Sequence, residues 1–238
     1  MTCIPDVMTL GIDEAGRGPV LGPLVMAGVC LRPRRAAGLT RAGVMDSKAF
    51  GAGEDAHARR LELAHRVRDA AESIVLRVID VAEIDRRVRC HELNVLEREH
   101  AAFIIEQSAP AQRVVADGVR LFKPLCARYP HVLARDRAEE HHVSVAAASI
   151  IAKVRRDEIF LCISRRYESE FGPLAGWGYE NPGTQRFLRA YLGRYGRLPP
   201  EARRTWPMSA VADAIPPTYD PLADLPPLPQ LGLFSAPA

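Results

Sequence analysis

Lysine is almost missing from this 238-residue sequence: of 32 basic residues, only Lys48, Lys123 and Lys153 are lysines. A residue kept as lysine against such a bias answers a need for a compact, flexible ammonium, which a guanidinium fork does not satisfy. Cysteine is also sparse. Cys3, Cys30, Cys90, Cys126 and Cys162 are scattered and form no C-x-x-C, which argues against a disulfide frame or a zinc site and for reduced thiols. No apolar run reaches the ~18 residues of a membrane helix. Met1–Val7 lacks a basic leader followed by an apolar stretch, so the expectation is a cytoplasmic protein. No internal repeat is present. Basic residues are wholly absent from Pro207 onward, where eight prolines and three acids fall within 32 residues. The remaining 206 residues hold 32 basic against 26 acidic side chains, a net +6 that suits a polyanionic partner. The expected organisation is a body over residues 1–206 and a disordered Pro-rich tail over 207–238.

The most informative stretch is Leu10-Gly11-Ile12-Asp13-Glu14-Ala15-Gly16-Arg17-Gly18-Pro19. Apolar residues lead into two adjacent carboxylates, and two glycines then bracket an arginine. Adjacent acids at the end of a buried strand are costly without a compensating cation. Flanking glycines let the backbone approach an anionic ligand closely. Taken alone, the same residues equally describe a strand entering a Gly-rich turn with an exposed acidic pair.

The periodicity predicts strands over Met8–Glu14, Leu21–Leu31, Ile74–Val81, Val114–Ala116 and Val143–Val145. Helices are expected over Ala56–Glu72, Leu93–Gln107, Ala146–Glu170 and Thr184–Leu192, the last capped by Thr184. Strands first, then helix and strand in alternation, indicate an α/β domain with a mixed central sheet flanked by helices. Asp117 ends a short apolar strand and precedes glycine, a strand-end geometry like that of the first acids, though taken alone it reads first as a turn acid before glycine. Ser149, Lys153 and Asp157 recur at i, i+4 and i+8 and form one polar stripe on an otherwise apolar helix. A surface ion pair would explain Lys153 and Asp157, but the alanines around them indicate a buried face. His141 and His142 are read as loop or surface residues.

These motifs together resemble type 2 ribonuclease H, the ribonuclease HII family. Asp13-Glu14-Ala15-Gly16-Arg17-Gly18-Pro19 with Gly22-Pro23 is similar to its signature, and Asp46-Ser47-Lys48, Asp117-Gly118 and Ala146–Asp157 match later motifs in the same order. The resemblance spans roughly residues 8–206. It implies a ribonuclease-H-like fold, a small C-terminal helical part, and an endonuclease acting on RNA in RNA–DNA hybrids and at single ribonucleotides in duplex DNA. It implies Asp13, Glu14, Asp117 and Asp157 as catalytic carboxylates holding Mg²⁺ or Mn²⁺, two ions about 4 Å apart, with a 5′-phosphate product. Both Asp13 and Glu14 can reach the ions only if the strand bends there.

Backbone groups of Gly16, Arg17 and Gly18 are expected to detect the 2′-hydroxyl, and Lys48 and Lys153 to contact phosphate. Tyr179 aligns with a tyrosine that packs against the nucleotide beyond the ribonucleotide. The chain reads Gly176-Trp177-Gly178-Tyr179-Glu180-Asn181-Pro182, without the family's proline directly after that tyrosine, so packing on the body stays open for it. In the tail, Gln230-Leu231-Gly232-Leu233-Phe234 is similar to the peptide by which bacterial replication proteins dock on the sliding clamp, with Gln230, Leu231, Leu233 and Phe234 as contacts. Folding back on the body is the other reading. The enzyme is expected to act as a monomer. Rival readings are an inactive hybrid-binding relative and a metal-dependent nuclease blind to ribose. The type 3 enzyme is disfavoured because no extra domain precedes the first strand. Repair of misinserted ribonucleotides and primer removal both remain open as the cellular task.

Overall fold

The structure, a computed structural model, describes residues 7–45, 54–206 and 208–223. Asp46-Ser47-Lys48 and Gln230–Phe234 lie outside the described residues, and with them the proposed phosphate contact of Lys48 and the clamp peptide.

Five strands form one mixed sheet in the order β3-β2-β1-β4-β5. β2 (Leu24–Leu31) runs antiparallel to both its neighbours, β1 (Thr9–Ala15) and β3 (Ser73–Ile79), whereas β4 (Arg113–Asp117) and β5 (Val132–Arg135) run parallel to β1. β2 is buried along its whole length because helices cover both faces. On one face Val25, Ala27, Val29 and Leu31 meet α2 (Glu54–Ala70) and α6 (Val143–Phe171), with α1 (Pro33–Arg41) alongside. On the other, Leu10, Ile12, Met26, Val114 and Ala116 pack with α3 (Val81–Arg89), α4 (Leu93–Gln107) and the short α5 (Val119–Phe122).

The alanine run of α6 lets it lie unusually close to the sheet. A Cβ on Gly11 would stand 2.1 Å from the carbonyl carbon of Ser144, so only glycine fits where β1 passes under the helix. α7 (Pro182–Tyr195) is capped by Asn181, whose Oδ1 accepts from the amides of Gly183 and Thr184. It builds a separate small core with Val20, Leu21, Leu198 and Ala202.

Several expectations change. Val143–Val145 is the first turn of α6 and no strand: the amides of Val145 and Ala146 both reach back to the His142 carbonyl. The cap of α7 is Asn181, three residues before Thr184, because Pro182 is favoured at the first helical position. The body also continues past residue 206, since Met208 and Val211 are buried in the α7 core. Among the described residues, no helix is long and apolar enough to cross a membrane.

Candidate active site

β1 delivers its two acids at the edge where the parallel ladder stops. Its pairing with β4 ends at Ile12, whereas pairing with β2 stays regular through Asp13, Glu14 and Ala15. β1 thus parts from β4 just before the acids while its ladder to β2 runs on past them. Successive side chains alternate, so Asp13 turns toward α6 and Glu14 toward α4. The turn comes one residue later, at Gly16, whose φ of 87° is left-handed. A Cβ there would fall 2.5 Å from the Arg156 Nε, so both backbone and space require glycine.

Asp13 is buried. It accepts from Ser149 on α6, and its Oδ1 accepts the Glu14 amide at 2.8 Å. Burial nevertheless dominates and pushes its carboxyl up to about 7, with the charge of Asp117 adding and Lys153 opposing. Glu14 is pushed up to about 8, again by burial first and then by Asp13 and Glu97. Its Oε2 is buried and has no hydrogen-bond partner among the described residues. Asp117, at the end of β4, raises both of these acids electrostatically, and its Oδ1 accepts the Ala138 amide at 2.7 Å. The stripe on α6 thus meets the strand ends, Ser149 and Lys153 facing Asp13.

Asp157, two turns on from Ser149, lies in the same cleft as Glu14. The cleft, about 610 Å³, is lined by Glu14, Gly16, Arg17, Gly18, Lys153, Asp157, Trp177 and Tyr179, among others. Asp157 Oδ2 accepts from His57 Nδ1 at 3.1 Å and from Arg60 at 3.3 Å, both on α2. Its predicted neighbour on the stripe, Lys153, is not its partner.

The donor chemistry fits a hard divalent cation. Two adjacent carboxylates are held where burial disfavours their charge, one oxygen is orphaned, and all candidate ligands are oxygens. Among the described residues, no three His, Cys, Asp or Glu side chains gather into one cage. The alternation of Asp13 and Glu14, and the α2 partners of Asp157, account for that spread.

The Gly16–Gly18 loop is fastened by residues that motif reading missed. Arg203, fully buried, donates to the carbonyls of Gly16 at 2.5 Å, Arg17 at 3.0 Å and Gly22 at 3.0 Å. Burial lowers its guanidinium to about 10, with the nearby Arg156 contributing. Asp85, also fully buried, accepts from the amides of Arg204 and Thr205 and from the Thr205 hydroxyl, which sets the turn that carries Arg203. Arg156 donates to the carbonyls of Leu21 and Trp177, joining this loop to the 176–181 loop. All but the Arg156–Trp177 link bridge residues more than a hundred positions apart, and no local pattern announces them.

Arg17 sends its guanidinium away to Glu97 (3.0 Å) and Asn94 (2.6 Å) on α4, so its backbone is what the loop offers the cleft. Tyr179 is half exposed, and a Cβ on Gly18 would come within 3.7 Å of its ring. Its ring therefore stands directly beside the glycine loop.

A profile of the ribonuclease HII family matches residues 10–208. Ribonuclease HII of Methanothermobacter thermautotrophicus is 38% identical over 206 residues, covering 83% of this chain and 95% of that protein. Among solved structures, the ribonuclease H2 of Pyrococcus horikoshii OT3 superposes with a TM-score of 0.73 at 30% identity, over 87% of this chain and 96% of that one. A ribonuclease HII from Archaeoglobus fulgidus, solved in complex with PCNA, superposes with a TM-score of 0.71 at 32% identity, over 85% and 96% of the two chains. The family is one of divalent-metal-dependent endoribonucleases. Matched by that profile over most of its length and 38% identical to a ribonuclease HII over 83% of its residues, the chain belongs to the ribonuclease HII family.

Proposed function

We propose that this enzyme cuts the RNA strand of RNA–DNA hybrids and also cleaves at single ribonucleotides embedded in duplex DNA, leaving 5′-phosphate ends. The observation that carries the reading is the shared cleft: Glu14 and Asp157 face it together with the Gly16–Gly18 backbone and the Tyr179 ring. Chemistry at a phosphodiester and inspection of the adjoining sugar then occur within one opening.

In this reading Asp13, Glu14, Asp117 and Asp157 hold the divalent ions, Mg²⁺ or Mn²⁺, two per site. Bound there, the ions would supply the charge that makes water a nucleophile and stabilises the departing 3′ oxygen. The protein's own groups do the rest. Ser149 fixes the rotamer of Asp13 through its hydrogen bond. Backbone groups of Gly16, Arg17 and Gly18, locked by Arg203, meet the 2′-hydroxyl that distinguishes RNA from DNA. A loop whose carbonyls are already oriented can test for that hydroxyl without first ordering itself. Lys153 and Lys48 neutralise phosphate, and Tyr179 packs against the nucleotide following the ribonucleotide, marking the RNA-to-DNA junction.

The tail peptide Gln230, Leu231, Leu233 and Phe234 docks on a sliding clamp in this proposal, with the Archaeoglobus fulgidus complex with PCNA as its support by analogy. A pull-down on a bacterial clamp tests it: the intact protein is retained and Phe234→Ala is lost, whereas equal retention rejects it.

The decisive assay uses a duplex bearing one ribonucleotide, beside an all-DNA duplex and a long hybrid. Cleavage of the first and third, dependent on Mg²⁺ or Mn²⁺ and abolished by Asp13→Asn, is the expected result. Cutting of the all-DNA duplex, or activity retained by Asp13→Asn, overturns the reading.

A further inference from the structure

The α2 residue His57 is absent from every motif that pointed to this site, yet it touches one of the four acids. Its Nδ1 lies 3.1 Å from Asp157 Oδ2. An ionised carboxylate only accepts, so Nδ1 carries the proton and donates it. Arg60, one turn further along α2, donates to the same oxygen. Both bonds fall on Oδ2. Among the described residues nothing hydrogen-bonds Oδ1, and Asp157 borders the open cleft.

His57 is itself supported from the other side. Its ring lies 5.8 Å from that of Trp177, with the planes tilted by 33°. Trp177 in turn packs against Phe160, one turn beyond Asp157 on α6, at 5.7 Å. Trp177 sits at a left-handed φ of 56°, and Arg156 holds its carbonyl at 2.9 Å. This loop is also where the chain departs from the family's Gly-Tyr-Pro pattern. Trp177, two residues before Tyr179 in this loop, is the residue that backs the histidine.

We propose that His57 is a positioning residue for the divalent-cation site: held by Trp177, it fixes Asp157 through Oδ2 and so presents Oδ1 to the cation. The inference rests on the reading of Asp157 as a metal ligand given above. Outer groups of this kind orient a ligand before the ion arrives, and their loss typically costs 10- to 100-fold in metal affinity. α2, which contributes no acid to the site, thereby sets how tightly the ion is held.

Calorimetric titration of the intact protein with Mn²⁺ alone, without substrate, tests this independently of turnover. Wild type is compared with His57→Ala, His57→Asn and Asp157→Asn, each checked for an unchanged unfolding temperature before metal is added. The amide nitrogen of Asn falls near the Nδ1 position, so it retains the donor. The expected result is Mn²⁺ binding about 10-fold or more weaker in His57→Ala and largely restored in His57→Asn. The KM for a hybrid duplex should stay within about twofold of wild type at saturating Mn²⁺, since His57 does not touch substrate. If Asp157→Asn weakens Mn²⁺ binding but His57→Ala does not, the positioning role is overturned while the metal assignment stands. Equal weakening in the Ala and Asn variants also overturns the role, because the donor would then not matter. If Asp157→Asn binds Mn²⁺ as wild type does, the metal assignment itself fails and the inference falls with it.

Discussion

The guanidinium of Arg203 lies 2.5 Å from the carbonyl oxygen of Gly16, across 187 residues of sequence and with no exposure to solvent. The loop that is to read the sugar is thus held from beneath by a charge that cannot move away. Replacing Arg203 by Met leaves the carbonyls of Gly16, Arg17 and Gly22 without this donor and Asp85 beside a lost cation. A destabilisation of about 3 kcal/mol or more is expected, read by urea denaturation. Arg203→Lys keeps the charge but not the three-way fork, so its stability should recover partly while cleavage at a single ribonucleotide stays at least about tenfold reduced.

Asp13 and Glu14 make stability fall as pH rises. Both folded carboxyls lie above their unfolded values of 3.8 and 4.5, at about 7 and about 8, with burial the main cause. The folded state therefore binds more protons than the unfolded one between about pH 4 and pH 8. The stabilisation is complete below the unfolded values and is lost as pH climbs through the folded ones. The metal-free protein should melt several degrees lower at pH 8.5 than at pH 5.5. The double variant Asp13→Asn/Glu14→Gln should flatten that slope, and scanning calorimetry with a chelator present checks both.

Much of this architecture is legible in local pattern, and what is not has identifiable causes. α4 falls over Leu93–Gln107 as its periodicity predicts, because a long stripe of Leu96, Ala101 and Ile104 faces the sheet. The four-residue β5 is too short to show alternation. α1 opens on Pro33, which reads as a break unless recognised as a first-turn residue. Val143–Val145 has β-branched residues, and tertiary packing under Gly11 overrides that preference. At the site, the paired acids and the Ser149–Asp157 stripe are visible because strand ends and helical spacing are local properties. Arg203, Asp85 and His57 act only through contacts made by the finished fold.

Gly11 and Gly28 offer a matched pair of alanine substitutions on opposite faces of the sheet. At Gly11 the new methyl would meet the Ser144 backbone at 2.1 Å, which can give way only if α6 moves as a whole. At Gly28 it would meet Ile104 Cγ2 at 2.2 Å, the branch of a side chain. Gly11→Ala should therefore cost about 3 kcal/mol or more, and Gly28→Ala roughly half as much. Thermal unfolding ranks the two. Because α6 also carries Ser149 and Asp157, Gly11→Ala should lose activity even below its melting temperature.

Tyr179 separates recognition from stability. The residue is half exposed and its ring stands at the rim beside Gly18, so truncation leaves no buried cavity. Tyr179→Ala should shift folding free energy by less than about 0.5 kcal/mol. Stacking on a base or sugar contributes on the order of 1–3 kcal/mol, so KM for a duplex with one ribonucleotide should rise at least about fivefold. Tyr179→Phe retains the ring and should stay near wild type if stacking alone matters. A long hybrid presents no single RNA-to-DNA junction, so Tyr179→Ala should cut it with a smaller defect. Equal defects on both substrates would mean that the ring merely packs against the loop and reads no junction.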